Sequence, residues 1–317
     1  MSAKHQSQAA SLAGYASAVP TPFRAGAIDE KAFAAFCEWQ IAQGIAALVI
    51  AGTTGEAPTL TPAEQIRLVR LAVEVADERI PVIAGAGSNA TAHAVELGQE
   101  AEAAGADGLL LVTPYYNRPS QEGVFQHFRA IHNATSVPIL LYDVPSRTGF
   151  TLAIDTILRL ADLPRIVGLK DATGDLARPG CLRRLLGKRL RLLSGDDATA
   201  LDFLALGGDG CISVVSNVDP ELCVWLHAAL RRGKSGEARA IAQTLAPLTA
   251  ALFMESNPVP VKYALSLMGR MSADVRLPLC APSEATRTAV ADALRRLKLV
   301  PRLPRSQILA DALSLCG

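Results

Sequence analysis

The feature that most constrains the fold of this chain is one repeated unit. It consists of a short apolar run, a loop rich in Gly, Thr or Pro, and a helix-period stretch rich in Ala, Leu and Glu. This alternation is typical of parallel strands joined by crossover helices. The apolar runs lie at 15–19, 46–50, 81–84, 108–112, 138–142, 166–170, 190–194 and 210–214. Because each run is continuous and is followed by a helix, the sequence predicts an α/β fold, a (β/α)8 TIM barrel.

The strand pattern stops near Gly233, and the remainder of the chain has helical periodicity. We predict a catalytic barrel over 15–232, a C-terminal helical domain over 233–299 with helices at 235–256, 260–268 and 283–297, and a tail over 300–317. One helix start is especially clear, because Thr61 fits an N-cap, Pro62 the first helical position and Glu64 the end of a capping box.

A doubly wound nucleotide-binding sheet is the alternative architecture. Gly85 and Gly87 follow one apolar run and precede a helix, but Ala90 stands where the dinucleotide fingerprint requires its third glycine. This loop is therefore a weak candidate for a nucleotide site.

Charge and cysteine usage exclude several classes of partner. The 31 basic and 30 acidic residues nearly cancel, so no global field favours nucleic acid or an anionic membrane. The six cysteines show no metal-ligand spacing, and we predict no metal site. The sequence contains neither a signal peptide nor an apolar stretch of the roughly 18 residues that a membrane helix needs, which predicts a cytoplasmic protein.

Lys170 is the strongest candidate for chemistry, because the active sites of TIM barrels lie where strands end. It ends the apolar run 166–170, and apolar surroundings favour a free amine that can attack a carbonyl carbon and form an imine. A lysine that extends to solvent from a strand end explains the position equally well.

Other polar residues follow neighbouring strands. Tyr142 could relay protons, and Arg147 could hold a carboxylate, although a buried tyrosine and a surface arginine are commoner. Thr53 and Thr54 lie between glycines in a loop that could bind an anion or could be a plain turn. The adjacent Tyr115 and Tyr116 cannot share a direction, so one can face the site while the other faces a neighbour.

Together these segments resemble the dihydrodipicolinate synthase and N-acetylneuraminate lyase superfamily over about 15–299. The motifs that carry the resemblance are Gly-Thr-Thr-Gly-Glu at 52–56, Tyr142 with Val-Pro-Ser-Arg-Thr-Gly at 144–149, Gly-Leu-Lys-Asp-Ala-Thr-Gly at 168–174 and Asn-Pro-Val-Pro-Val-Lys at 257–262.

The resemblance implies that Lys170 forms a covalent imine with pyruvate and that no metal or other cofactor is needed. It implies a proton relay of Tyr142, Thr54 and Tyr116, with Tyr116 reaching in from the adjacent subunit of a dimer. Five residues are implied to contact the substrates: Thr53 and Thr54 at the pyruvate carboxylate, Arg147 at the carboxylate of the second substrate, and Gly195 and Ile212 through their backbone carbonyls.

Within the superfamily, the paired threonines, the tandem tyrosines and the context of Arg147 favour the synthase branch. That branch condenses pyruvate with L-aspartate 4-semialdehyde to 4-hydroxy-tetrahydrodipicolinate, in lysine and diaminopimelate biosynthesis. An aldolase or dehydratase acting on sugar acids is the alternative, as is a silent paralogue that senses a keto acid. Asp143 departs from the usual Asn and is expected to place a charge beside Tyr142.

The resemblance also implies a homotetramer built as a dimer of dimers, with an effector site for lysine at the dimer interface. Asn89 and Tyr115 match that effector site, but His93 replaces a glutamate that would bind the ammonium of lysine. An imidazole is a poor partner for an ammonium. We therefore expect weak or absent inhibition by lysine.

Overall fold

A closed barrel of eight parallel strands forms the body of the protein, in a computed structural model that describes residues 12–300. The barrel strands are β1 (Gly14–Ala18), β4 (Ala47–Ile50), β5 (Val82–Gly85), β6 (Gly108–Val112), β7 (Ile139–Asp143), β8 (Ile166–Asp171), β9 (Arg191–Ser194) and β10 (Gly210–Ser213). β1 pairs with both β4 and β10, which closes the sheet. The predicted TIM barrel is confirmed, and the doubly wound alternative is wrong.

Helices cover the outside of the barrel and continue beyond it. They are α1 (Glu30–Ala42), α2 (Pro62–Ala76), α3 (Thr91–Ala103), α4 (Gln121–Ala134), α5 (Pro145–Thr148), α6 (Ile154–Ala161), α7 (Ala177–Leu186), α8 (Ala200–Ala205), α9 (Pro220–Arg231), α10 (Ser235–Leu252), α11 (Val259–Leu267) and α12 (Glu284–Arg296), with short 3₁₀ turns at Ala57–Thr59 and Val215–Asn217. The predicted capping box is present, since Thr61 accepts from the Glu64 amide and Glu64 accepts from the Thr61 amide.

The strand alternation produces two cores. Side chains that point inward, such as Ala16, Val49 and Leu140, fill the barrel, whereas a larger cluster lies between the strands and the helices. Both faces of each barrel strand are therefore buried, which explains why the strands appear in the sequence as continuous apolar runs.

Two features differ from the sequence-based expectation. The structure contains a two-stranded hairpin of β2 (Phe23–Arg24) and β3 (Ala27–Ile28) that the sequence does not predict. Each of its strands has only two residues, which are too few to show an alternating pattern. The first C-terminal helix ends at Leu252 rather than near residue 256. The tail at 301–317 lies outside the described residues, and no helix within 12–300 is long and apolar enough to span a membrane.

Candidate active site

Lys170 and Tyr142 are register partners on β8 and β7, and both side chains point into the barrel mouth. The Lys170 amine lies 4.1 Å from the centre of the Tyr142 ring. Lys170 is 6% exposed and Tyr142 is 7% exposed. The lysine therefore does not extend to solvent, and its amine packs against the Tyr142 ring.

Gly195 lies directly against the Lys170 side chain, in the turn after β9. A Cβ atom added there would lie 2.8 Å from the Ala172 Cβ and 3.0 Å from the Lys170 Cε, both closer than Cβ atoms normally approach. The position accepts only glycine if the lysine is to keep its place. Ile212, on β10, is buried inside the barrel.

A cavity of about 490 Å³ opens above Tyr142. Thr53, Tyr142 and Arg147 line it, together with backbone that approaches closely at Gly85 and Gly87. A Cβ at Gly85 would lie 2.3 Å from the Ala51 carbonyl oxygen, so the wall of the cavity is formed by packed main chain. The volume suits small organic acids.

The two threonines of the loop after β4 have different surroundings. Thr53 lines the cavity and is partly exposed. Thr54 is buried, and its Oγ1 accepts a hydrogen bond of 2.9 Å from the Asn257 Nδ2. The Thr53 hydroxyl is therefore accessible from the cavity, whereas the Thr54 hydroxyl is buried against Asn257.

Asn257 belongs to the motif at 257–262, but the sequence alone gives it no role. Besides holding Thr54, its carbonyl oxygen accepts a hydrogen bond of 3.0 Å from the Arg147 Nη2. The Asn257 side chain lines the cavity, and its Oδ1 is buried without a hydrogen-bond partner among residues 12–300. A single residue just before α11 therefore hydrogen-bonds with both Thr54 and Arg147.

A fully buried ion pair fixes the same loop to the C-terminal helices. The Lys262 Nζ lies 2.6 Å from the Glu56 Oε1, and both side chains are inaccessible to solvent. The second carboxylate oxygen of Glu56 accepts from the Arg276 amide at 3.0 Å. Burial of two charges is tolerated only when they are paired and hydrogen-bonded, so this contact depends on both partners.

The tandem tyrosines lie at the surface of the single chain. Tyr116 is 90% exposed with a positive φ of 66°, and Tyr115 is 37% exposed and lines the cavity. Tyr116 therefore does not contribute to the cavity of its own chain in this structure.

The candidate effector residues lie near the same cavity. His93 and Tyr115 line it, and the His93 Nδ1 is 3.4 Å from the Ser88 Oγ. Asn89 contacts the tyrosine loop, because its carbonyl oxygen accepts from the Asn117 Nδ2 at 2.9 Å.

The expectation for Asp143 is wrong. Successive residues of a strand point to opposite faces, so Asp143 points outward where Tyr142 points inward. Its carboxylate is fully buried behind the barrel and lies 2.8 Å from the Arg178 Nη2. It places no charge beside the phenol.

No group of three or more His, Cys, Asp or Glu residues within 12–300 has the arrangement of a metal site. The chemistry that the described residues support is that of an amine with a neighbouring phenol and hydroxyl.

Comparison with known proteins agrees with this geometry. Residues 11–297 match the Dihydrodipicolinate synthetase family. The 4-hydroxy-tetrahydrodipicolinate synthase of Hyphomonas neptunium is 54% identical over 279 residues, which cover 87% of this chain and 95% of the relative. That of Rhodospirillum centenum is 51% identical over 283 residues, covering 89% of this chain and 97% of the relative.

Solved structures show the same fold. The 4-hydroxy-tetrahydrodipicolinate synthase of Methylacidiphilum fumariolicum has a TM-score of 0.89 at 46% identity and covers 90% of this chain and 96% of its own. A monomeric dihydrodipicolinate synthase variant has a TM-score of 0.91 at 39% identity, covering 93% of this chain and 99% of its own.

Proposed function

The chain belongs to the Dihydrodipicolinate synthetase family, and we propose that it is a lyase that condenses pyruvate with L-aspartate 4-semialdehyde to 4-hydroxy-tetrahydrodipicolinate. The observation that carries the proposal is the buried amine of Lys170 against the Tyr142 ring at the mouth of the barrel. The high identity to synthases over most of their length supports the choice of reaction. The step would serve lysine and diaminopimelate biosynthesis in the cytoplasm.

The reaction begins when the free amine of Lys170 attacks the keto carbon of pyruvate, and loss of water leaves an iminium ion. The iminium nitrogen withdraws electrons, so a methyl proton of pyruvate leaves and an enamine forms. The enamine carbon then attacks the aldehyde carbon, whose oxygen takes up a proton. Attack by the amino group of the second substrate on the iminium carbon closes the ring and releases Lys170. No step requires a metal or another cofactor.

We assign the relay hydroxyl to Thr53 rather than to Thr54. Thr53 lines the same cavity as Tyr142, whereas the Thr54 Oγ1 is buried and already accepts from Asn257. Accepting that bond directs the Thr54 hydroxyl proton elsewhere, which suits a contact with the pyruvate carboxylate. Tyr142 would pass protons between the imine and Thr53.

Arg147 would hold the carboxylate of the second substrate. It lies at the exposed edge of the cavity, and its Nη2 is oriented by the Asn257 carbonyl oxygen. A guanidinium can meet a carboxylate with two parallel hydrogen bonds. The backbone carbonyls of Gly195 and Ile212 remain proposed contacts.

Tyr116 would complete the relay in the neighbouring subunit of a homotetramer built as a dimer of dimers. Its 90% exposure leaves the phenol available to a second copy of the chain. Mixing Lys170→Ala and Tyr116→Phe chains should restore part of the activity, because one of the two sites in each mixed dimer then carries both native residues. Mixtures without activity above that of either variant would oppose this arrangement.

We further propose that lysine inhibits weakly or not at all. Asn89 and Tyr115 are retained near the cavity, but His93 offers an imidazole that hydrogen-bonds with Ser88 instead of a carboxylate. An ammonium ion gains little from such a neighbour.

The choice of second substrate is tested by assaying the purified protein with pyruvate and a panel of aldehydes. We expect kcat/KM for L-aspartate 4-semialdehyde to exceed that for succinate semialdehyde and for sugar aldehydes by about 100-fold or more. Succinate semialdehyde is the matched control, since it keeps the carboxylate and lacks the amino group. A preference for a sugar aldehyde, or for cleavage of a keto-deoxy sugar acid, would overturn the assignment.

A further inference from the structure

Behind the two catalytic strands lies a buried charge cluster that the proposed mechanism does not use. Arg178, on α7, donates from Nη2 to the Asp143 Oδ2 and from Nε to the Asp171 Oδ2, each at 2.8 Å. The guanidinium is 9% exposed, and the two carboxylates are 0% and 4% exposed. This cluster of Asp143, Arg178 and Asp171 is called the outer clamp below.

The outer clamp joins the strands at the level of the catalytic pair. Tyr142 pairs in register with Lys170, and Asp143 pairs with Asp171 one residue further along. Because side chains alternate along a strand, the inner pair carries the chemistry while the outer pair holds Arg178. Any shear between β7 and β8 at this level would move the phenol relative to the amine.

The remaining contacts of the outer clamp make it rigid. The Arg178 Nη1 donates to the Leu152 carbonyl oxygen at 3.0 Å, and the Leu152 amide donates to the Asp143 Oδ2 at 3.1 Å. The other oxygen of Asp171 accepts from the amide and hydroxyl of Thr173. Each nitrogen of the guanidinium thus has an acceptor, and a planar fork with three fixed acceptors has little freedom.

The outer clamp also reaches the glycine that packs against the lysine. The Gly195 amide donates to the Asp171 carbonyl oxygen at 2.7 Å, and the Ala172 amide donates to the Asp143 carbonyl oxygen at 2.9 Å. The main chain at the two clamp aspartates therefore anchors Gly195, which packs against Lys170, and Ala172, which packs against Gly195.

We propose that Arg178 is a positioning residue for imine formation: by bridging Asp143 and Asp171 it fixes β7 against β8 and so holds Tyr142 and Lys170 in their relative positions. The proposal rests on the proposed use of Lys170 as the nucleophile. A hydrogen-bond acceptor at residue 143 is sufficient for this role, so Asn there should serve as well as Asp. A shift of about 1 Å between reacting groups can cost about 100-fold in rate.

The chain offers a matched control on the same helix. Arg183 also joins α7 to the barrel, through Asp209 and the Gly207 carbonyl oxygen. Asp209 lies immediately before β10, and its Oδ2 also accepts from the Leu192 amide on β9. Arg183→Met therefore removes a partly buried ion pair from the same helix and leaves the contacts of Asp143 and Asp171 in place.

The test measures the rate constant and the amplitude of imine formation, by mixing enzyme with saturating pyruvate and quenching with borohydride. The amplitude reports the fraction of folded, competent protein, and the rate constant reports positioning. We expect Arg178→Lys to lower the rate constant about tenfold or more at nearly native amplitude, and Arg183→Met to change it less than about twofold.

A second pair of variants keeps the test decisive where Arg178→Lys does not fold. Asp143→Ala removes one acceptor and should slow imine formation, whereas Asp143→Asn keeps the acceptor and should restore the native rate constant. Native rate constants in Arg178→Lys or in Asp143→Ala would overturn the positioning role.

The two proposals fail separately. Native protein that traps pyruvate but does not condense L-aspartate 4-semialdehyde would overturn the second substrate alone and leave the outer clamp measurable. Native protein that traps no pyruvate on Lys170 would overturn both.

Discussion

Tyr142 and Lys170 face each other across neighbouring strands, with the lysine amine 4.1 Å from the centre of the phenol ring. This pair lies at the carboxyl end of the barrel, where loops from several strands meet. The loop hydroxyls, the glycine after β9 and the arginine at the entrance are all arranged around it. The first two predictions change the loop hydroxyls and the glycine after β9.

The two threonines of the loop after β4 should respond differently to replacement by valine, which has the same shape without the hydroxyl. Thr53→Val should lower kcat about 100-fold with little change in KM for pyruvate, because it interrupts the relay. Thr54→Val should mainly raise KM for pyruvate, since it removes a carboxylate contact and leaves the Asn257 amide without its acceptor. Steady-state kinetics separate the two, and a native kcat in Thr53→Val would contradict the assignment.

Gly195→Ala should slow imine formation about tenfold or more, because the new methyl group would press on both Ala172 and the Lys170 side chain. Gly236→Ala is the matched control, since a Cβ there meets open space. Borohydride trapping over time gives the rate. Equal rates in the two variants would show that the lysine is not held by this contact.

Asp143 should make the native protein less stable as the pH rises. Burial raises the pKa of the Asp143 carboxyl to about 7, because the loss of hydration raises the pKa more than the charge of the Arg178 guanidinium lowers it. The nearby Asp171 adds to the rise. In the unfolded chain the pKa of this carboxyl is about 3.9. The stabilisation of the folded state by the protonated carboxyl is therefore fully present below about pH 4 and is lost as the pH rises to about 7.

Asp143→Asn removes this dependence, because an amide does not titrate. Its free energy of unfolding, relative to the native protein, should increase by about 2 kcal/mol between pH 5 and pH 8. Chemical unfolding at one fixed protein concentration measures the difference. A difference that is the same at both pH values would place the pKa of Asp143 in its ordinary range.

Lysine should leave the native enzyme largely active at millimolar concentration, and His93→Glu should increase its sensitivity by supplying a carboxylate for the ammonium. Initial rates with increasing lysine provide the test. Half-inhibition of the native protein at submillimolar lysine would refute the prediction.

The barrel could be predicted because its strands are buried on both faces and therefore appear as uninterrupted apolar runs. Lys170 and Tyr142 stood out because each ends such a run. Alternation along β7 directs Asp143 to the opposite face from Tyr142, so its position follows from the strand period. Residues joined across long separations escaped prediction for a physical reason. Periodicity describes neighbours along the chain, so it gives no sign that Arg178 contacts Asp143 or that Asn257 contacts Thr54.

Irregular loops also limit how much of the site can be predicted from the sequence. Thr53 and Thr54 are adjacent in a loop without a helix or strand period, so the sequence could not show which hydroxyl lines the cavity. The hairpin of β2 and β3 was too short to produce a pattern.

The central claim, that Lys170 is the nucleophile of a pyruvate aldolase, is tested most directly by borohydride reduction in the presence of pyruvate, followed by peptide mass spectrometry. The account predicts one reduced pyruvate adduct per chain, located on Lys170 and lost in Lys170→Arg, which keeps the charge but cannot form the imine. An adduct on another lysine, or none in protein that condenses pyruvate with an aldehyde, would contradict it.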